Sequence, residues 1–124
     1  MPKITQSNLD LNGFSFIPGH DYDPQEYAIV EINISKFDAD WIYDDFYLSK
    51  KEMLSNPYYL DFFSNPQNKN RNIIMPLAGI DSKGQVGIID GRHRYGAVRD
   101  LGGLSIPMMV PISIADKFRK RYSI

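Results

Sequence analysis

The chain has 124 residues, of which 43% are hydrophobic, 13% aromatic and 23% charged, a balance that excludes a disordered polypeptide and supplies one domain with enough apolar mass for a core. Fourteen Lys and Arg against fifteen Asp and Glu leave a net charge of -1, so no global field draws the protein to nucleic acid or to an anionic membrane. The lack of cysteine excludes disulfide scaffolds, thiolate metal sites, cysteine nucleophiles and thiol redox chemistry together.

Residues 1–27 are punctuated by Gly13, Pro18, Gly19, Asp21, Asp23 and Pro24, with FSFI as their one strand. They read as an N-terminal extension draped over a core domain of residues 28–124. His20, in PGHDYDP, falls in a loop of that extension. In AIVEINIS, Ala28 to Ser35, the β-branched Val30, Ile32 and Ile34 alternate with Ile29, Glu31 and Asn33, the period of a strand with one buried face. KFDADWIYDDFY then interleaves Asp38, Asp40, Asp44 and Asp45 with aromatics, an acidic patch beside the strand end. Ser49 and Glu52 have the spacing of a capping box, in which the serine oxygen accepts an amide bond and the glutamate reaches back, so KKEML starts a short helix. Asn56-Pro57 interrupts it, YYLDFF adds a helical turn or two, and SNPQNKNRN, Ser64 to Asn72, reads as a mobile polar loop.

IIMPLAGI, Ile73 to Ile80, is a strand whose Pro76 belongs at a start or an edge, because proline has no amide hydrogen. The turn Asp81 to Gly84 leads back into QVGIID, Gln85 to Asp90, as a hairpin. RHRYGAVRDL places Ala97, Val98 and Leu101 at helical spacing, and Gly102-Gly103 supplies a left-handed stop. LSIPMMVPISI, Leu104 to Ile114, is a last strand, and ADKFRKRYSI is a basic amphipathic end that begins a helix. The sum is an α+β domain: a mixed sheet with packed helices and a strand, turn, helix, strand unit in its C-terminal half. No apolar run approaches the roughly 20 residues of a membrane span, and MPKITQSNLDLNG has no signal-peptide core, so the chain reads as cytoplasmic with no membrane partner.

The richest chemistry lies where QVGIID meets RHRYGAVRD. A strand feeding a helix through Asp-Gly exposes the first helical amides at the positive end of the helix dipole, which together favour an anion. Gly91 lets a ligand approach the backbone, Asp90 is placed to cap the helix, and Arg92, His93 and Arg94 add fixed charge, forked donors and one titratable group. Asp90, Gly91, Arg92, His93 and Arg94 are therefore the candidate phosphate site; the alternative is a plain helix cap beside a solvated basic face.

IIDGRHRYGAVRDLGGLSIPMMV resembles the ParB/sulfiredoxin-like superfamily, in which a strand runs into a D-G-x-[HR]-R turn at a helix start, followed by a small-residue helix, a glycine and a strand beginning IPV. IVEINISKF is similar to that family's first strand and NIIMPLAGIDSKGQVGIID to its hairpin, so the likeness covers about residues 28–112 in order. It implies that Asp90, Gly91, His93 and Arg94 hold nucleotide phosphates of ATP, ADP or CTP, with Arg92 at the variable place of the motif. Sulfiredoxins carry a cysteine in this turn, so that activity is excluded here, and too few residues follow Ile112 for the DNA-reading helices of partition proteins. The free serine kinases of the family place a catalytic glutamate after the first strand. That position falls at Trp41, with Asp38 and Asp40 beside it, so these two carboxylates are the candidates to activate a nucleophile or bind Mg, with His93 as the remaining catalytic candidate.

Three functions are compatible with this reading. The first is a small enzyme of phosphoryl transfer or nucleoside triphosphate hydrolysis. The second is a ParB-like nuclease, for which KFRKRY offers four cations and two aromatics as a weak single-strand contact. The third is a non-catalytic nucleotide sensor or protein-partner module, using aromatics of WIYDDFYL and YYLDFF. The acidic patch equally reads as a solubilising loop around buried aromatics.

Overall fold

The computed structural model describes residues 14–68 and 71–124, so Gly13 and the rest of the first thirteen residues, and residues 69–70 of the polar loop, lie outside it. A short strand β1 (Ser15–Ile17) precedes β2 (Tyr27–Asn33), in which Ala28, Val30 and Ile32 are buried while Ile29 and Glu31 are exposed. The strand ends two residues earlier than its alternation suggests. Asn33 turns it into helix α1 (Ile34–Trp41) by accepting the Lys36 amide at 3.0 Å, and Ile34, Phe37 and Trp41 share the buried face. The acidic segment is thus partly a helix, its aspartates interleaved with core anchors.

The capping box forms as expected: Ser49 Oγ accepts the Glu52 amide at 3.2 Å and Glu52 accepts the Ser49 amide at 3.3 Å, starting α2 (Lys50–Ser55). Helix α3 (Tyr58–Ser64) follows, and a 3-10 turn at Pro66–Asn68 occupies part of the expected loop. The single strand expected over Ile73 to Ile80 is two, β3 (Asn72–Ile74) and β4 (Leu77–Ile80). The break falls at Met75 and Pro76, whose backbone groups go to different neighbours: the Met75 amide to Ile17 O, and the Pro76 carbonyl to the Met109 amide, each at 2.9 Å. The remaining elements are β5 (Val86–Asp90), α4 (Arg92–Asp100), β6 (Ser105–Pro111) and α5 (Ala115–Tyr122).

Two sheets result. β1 pairs in parallel with β3, and the main sheet has the order β2-β6-β4-β5, with β6 antiparallel to β2 and parallel to β4. This is the mixed α+β arrangement anticipated above. Phe14 packs its ring on Phe62 and Phe63, which together with the β1–β3 pairing ties the described part of the extension to the rest.

The core is centred on Phe37. Its ring meets Tyr95 at 5.3 Å, Tyr122 at 5.4 Å, Phe118 at 5.9 Å and Trp41 at 6.0 Å, and all five side chains are essentially inaccessible. Phe118 and Tyr122 are the aromatics of KFRKRY, so the tail that offered rings for base stacking instead buries them as the inner face of α5. Only its cations remain outside. No helix among the described residues is long and apolar enough to cross a membrane. Phe37→Ala is expected to lower unfolding free energy by about 3–5 kcal/mol, the usual cost of deleting a fully buried ring. Urea denaturation measures it, with Tyr43→Ala, at a side chain 79% exposed, as a control expected to move stability by less than about 0.5 kcal/mol.

Candidate functional site

Asp90 closes β5 and Arg92 opens α4, so Gly91 alone reverses the chain. It does so at φ 93°, where a Cβ would also stand 2.7 Å from Arg94 Nη2 and 3.0 Å from the Pro76 Cα. Gly91 itself is the N-cap residue and no side chain caps the helix. Asp90, expected to cap, does not: it sits one residue too early, and its exposed carboxylate accepts from Arg94 Nη2 at 3.4 Å. The first amide bonded inside the helix is that of Tyr95, to Gly91 O at 3.0 Å. The amides of Arg92, His93 and Arg94 precede it without a side-chain cap, where the helix dipole is positive.

The two arginines splay to different anchors. Arg92 Nη1 donates to Phe46 O at 2.9 Å and Arg94 Nε to Ile74 O at 2.8 Å. Each guanidinium has five N–H groups in a fixed fork, so both are positioned by these bonds with donors left over. Residues 90–94 line a cleft of about 280 Å³ together with Ile89 and with Tyr59 of α3. Tyr59 was invisible in the sequence reading, because α3 and α4 meet only in the fold. The residues that line the cleft carry uncapped amides, two guanidinium groups and one imidazole.

Asp38 and Asp40 stand elsewhere, and neither lines that cleft. Asp38 accepts from Tyr47 Oη at 2.7 Å, Tyr95 Oη at 3.0 Å and Arg99 Nη1 at 3.1 Å. Arg99 in turn forks onto Asp100 at 2.8 and 3.1 Å. Burial, reinforced by Asp38, raises the Tyr95 phenol far above its ordinary range, and burial followed by the bond to Asp38 pushes Tyr47 up to about 12. Burial opposes the charge on Arg99, yet its bonds to Asp100 and Asp38 outweigh that and hold it protonated. Asp40 accepts from Tyr122 Oη at 2.8 Å; Tyr122 is likewise pushed up to about 12, by burial and then by that bond.

These geometries do not support Asp38 and Asp40 as base or metal ligands beside the turn. Asp38 already takes three donors, one of them cationic, and among the described residues no group of three metal-ligating side chains comes together. Neither carboxylate lines the cleft, so an Mg at the turn would have to arrive with the phosphates and not through Asp38 or Asp40. Trp41, at the position of the kinase glutamate, is fully buried and donates its indole N–H to Asp44 at 3.2 Å.

Asp38→Asn is expected to lower stability by about 3 kcal/mol in urea, since it leaves Arg99 short of a carboxylate in a largely desolvated setting; Asp45→Asn, on an exposed carboxylate, is the control. The phenols give a second expectation. Tyr47 and Tyr122 have folded values near 12 against 10 unfolded, so the folded state retains protons that the unfolded state releases. Their contribution is complete below pH 10 and is lost between pH 10 and 12. A urea midpoint that falls over that window, and falls less in Tyr47→Phe/Tyr122→Phe, bears this out; a flat midpoint refutes it.

No family model and no curated protein sequence matches the chain. One solved structure is similar: Oncogenic Suppression Activity Protein, a plasmid fertility inhibition factor, determined as a gold(I) cyanide derivative. The likeness has a TM-score of 0.64 at 14% identity and covers 84% of this chain. The chain spans 60% of the length of that protein. At this identity the likeness concerns the fold alone, which is α+β and consistent with the ParB/sulfiredoxin-like arrangement that the DGRHR segment resembles.

Proposed function

We propose that the protein binds nucleotide phosphates at residues 90–94 and works as a nucleotide-binding module. The observation that carries this is the coincidence, at one glycine-only turn, of a helix start without a side-chain cap and two arginines fixed by backbone carbonyls with donors to spare. An anion there meets backbone amides, guanidinium forks and His93 at once. Binding is favoured over phosphoryl transfer, triphosphate hydrolysis or phosphodiester cleavage because the carboxylates that would serve as base lie outside the cleft. A protein-partner role is the second reading. It is favoured by Tyr43, Phe46 and Tyr58, which are 64–79% exposed, and it accords with the description of the structural neighbour as an inhibition factor.

Thermal unfolding with phosphate, ADP, ATP and CTP, each with and without Mg, tests the proposal. A ligand that binds only the folded state stabilises by about 2.7 kcal/mol at a hundredfold excess over its Kd. The expected result is a shift that Arg92→Ala/His93→Ala abolishes and Arg94→Lys weakens, because lysine cannot reproduce the fork. A shift that persists in the double variant moves the site elsewhere. The lack of a shift with any of the four overturns the anion reading and leaves the partner role.

A further inference from the structure

Helix α5 keeps its cations outside while Phe118 and Tyr122 turn into the core. Lys117 and Arg121 lie one turn apart, which puts them on the same flank of the helix. Arg121 stands beside the Tyr122 hydroxyl and lines a cleft of about 590 Å³. Lys36 and Asp40 enter that cleft from α1, and Gly84 and Gln85 from the β4–β5 hairpin. Lys83, next to Gly84 in the turn, is exposed at its rim.

These cations are not matched from within. Arg119 pairs with Asp116 on the other flank of α5, but none of Lys36, Lys83, Lys117 and Arg121 forms an ion pair among the described residues. Lys36 Nζ donates to Ser123 O at 3.0 Å, a bond that places its charge without neutralising it. Two carboxylates share the surface. Asp81 Oδ1 is taken by the Lys83 and Gln85 amides, and Asp40 Oδ2 by the Tyr122 phenol at 2.8 Å. The cations outnumber them, a local positive excess on a chain whose net charge is -1.

The cleft has fittings that a bare cationic patch lacks. The Gln85 side-chain nitrogen is committed to Asp40 O and Val86 O, each at 2.9 Å, which leaves its oxygen to accept, as is Asp40 Oδ1. Tyr43, among the most exposed rings of the fold, lines the same space. Cations for carboxylates, oxygens for backbone N–H groups and a ring for apolar side chains are the complement of an extended acidic polypeptide. A nucleic-acid strand fits less well: the aromatics of α5 are buried and cannot stack on bases, and Asp40 would face the phosphates.

We infer that the cleft between α1, α5 and the β4–β5 turn is a docking surface for an acidic polypeptide segment of a partner protein. The inference rests on the partner reading above and is independent of the phosphate site, with which the cleft shares no residue.

Fluorescence anisotropy with the whole chain and a short labelled peptide carrying a leucine amid glutamates tests it, with labelled oligothymidylate as the competing class. The peptide is expected to bind, and to bind less well as salt is raised. Lys83→Glu/Lys117→Glu is expected to weaken it roughly tenfold, because each exposed ion pair is small but reversal turns attraction into repulsion. Neither lysine side chain bonds the rest of the fold, so this variant keeps its structure. Lys50→Glu/Lys51→Glu makes the same change of net charge on exposed lysines of α2 and is expected to bind as the wild type does. Tyr43→Ala is expected to weaken the peptide without moving stability. Undetectable peptide binding, or equal binding by the Lys83→Glu/Lys117→Glu variant, overturns the surface and leaves the phosphate site and a partner at Phe46 or Tyr58 standing. Oligothymidylate bound more tightly than the peptide, and lost in the same variant, overturns it in favour of a nucleic-acid contact.

Discussion

The carboxylate of Asp38 is the point on which the arrangement depends. It stands on the second turn of α1, at the border of the face that carries Ile34, Phe37 and Trp41 into the core. Its three donors come from two segments: Tyr47 from the stretch after α1, and Tyr95 and Arg99 from successive turns of α4. A largely desolvated carboxylate is tolerable only when its lone pairs are met, and here the donors that meet them also fix how α4 lies on α1. Tyr95 does two jobs at once. Its ring packs on Phe37 and Trp41 while its hydroxyl bonds Asp38, so the apolar and polar contacts demand the same placement.

That placement decides the geometry of the turn. Tyr95 immediately follows Arg94, and fixing Tyr95 inward forces the three preceding side chains to radiate from the rest of the helix circumference. Arg92 reaches the carbonyl of Phe46, next to the hub's Tyr47, and Arg94 that of Ile74 in β3. The cleft at residues 90–94 is thus held at a distance by a core contact, with Gly91 supplying the left-handed hinge that any Cβ would strain.

Much of this was legible in the sequence where a short-range rule governs. The alternation of Ala28, Val30 and Ile32, the Ser49–Glu52 capping box, the Asp81 to Gly84 turn and the DGRHR junction each depend on residues within a few positions of one another. Helix α1 was readable in principle: Asn33 is a capping residue, and Ile34, Phe37 and Trp41 recur at helical spacing. The strand pattern ran through Ile34 and the interspersed aspartates disguised the period. The partners of Asp38 were beyond such rules. They lie 9, 57 and 61 residues away, and nothing local distinguishes a carboxylate that will be enclosed by phenols and a guanidinium from one that will stay in water. The same holds for Tyr59, brought to the cleft by the packing of α3 on α4.

The contrast between the hub and the turn argues for where function lies. Among the described residues no buried side-chain nitrogen or oxygen lacks a partner, and at Asp38, Arg99 and Asp100 charge is neutralised by neighbouring charge. Such a network has its requirements met from within and gains nothing from a ligand. At the other end of the same helix the balance is left open: among the described residues Asp90 is the one carboxylate paired with Arg92 or Arg94, and the first amides have no side-chain cap. The proposed anion binding rests on that open balance.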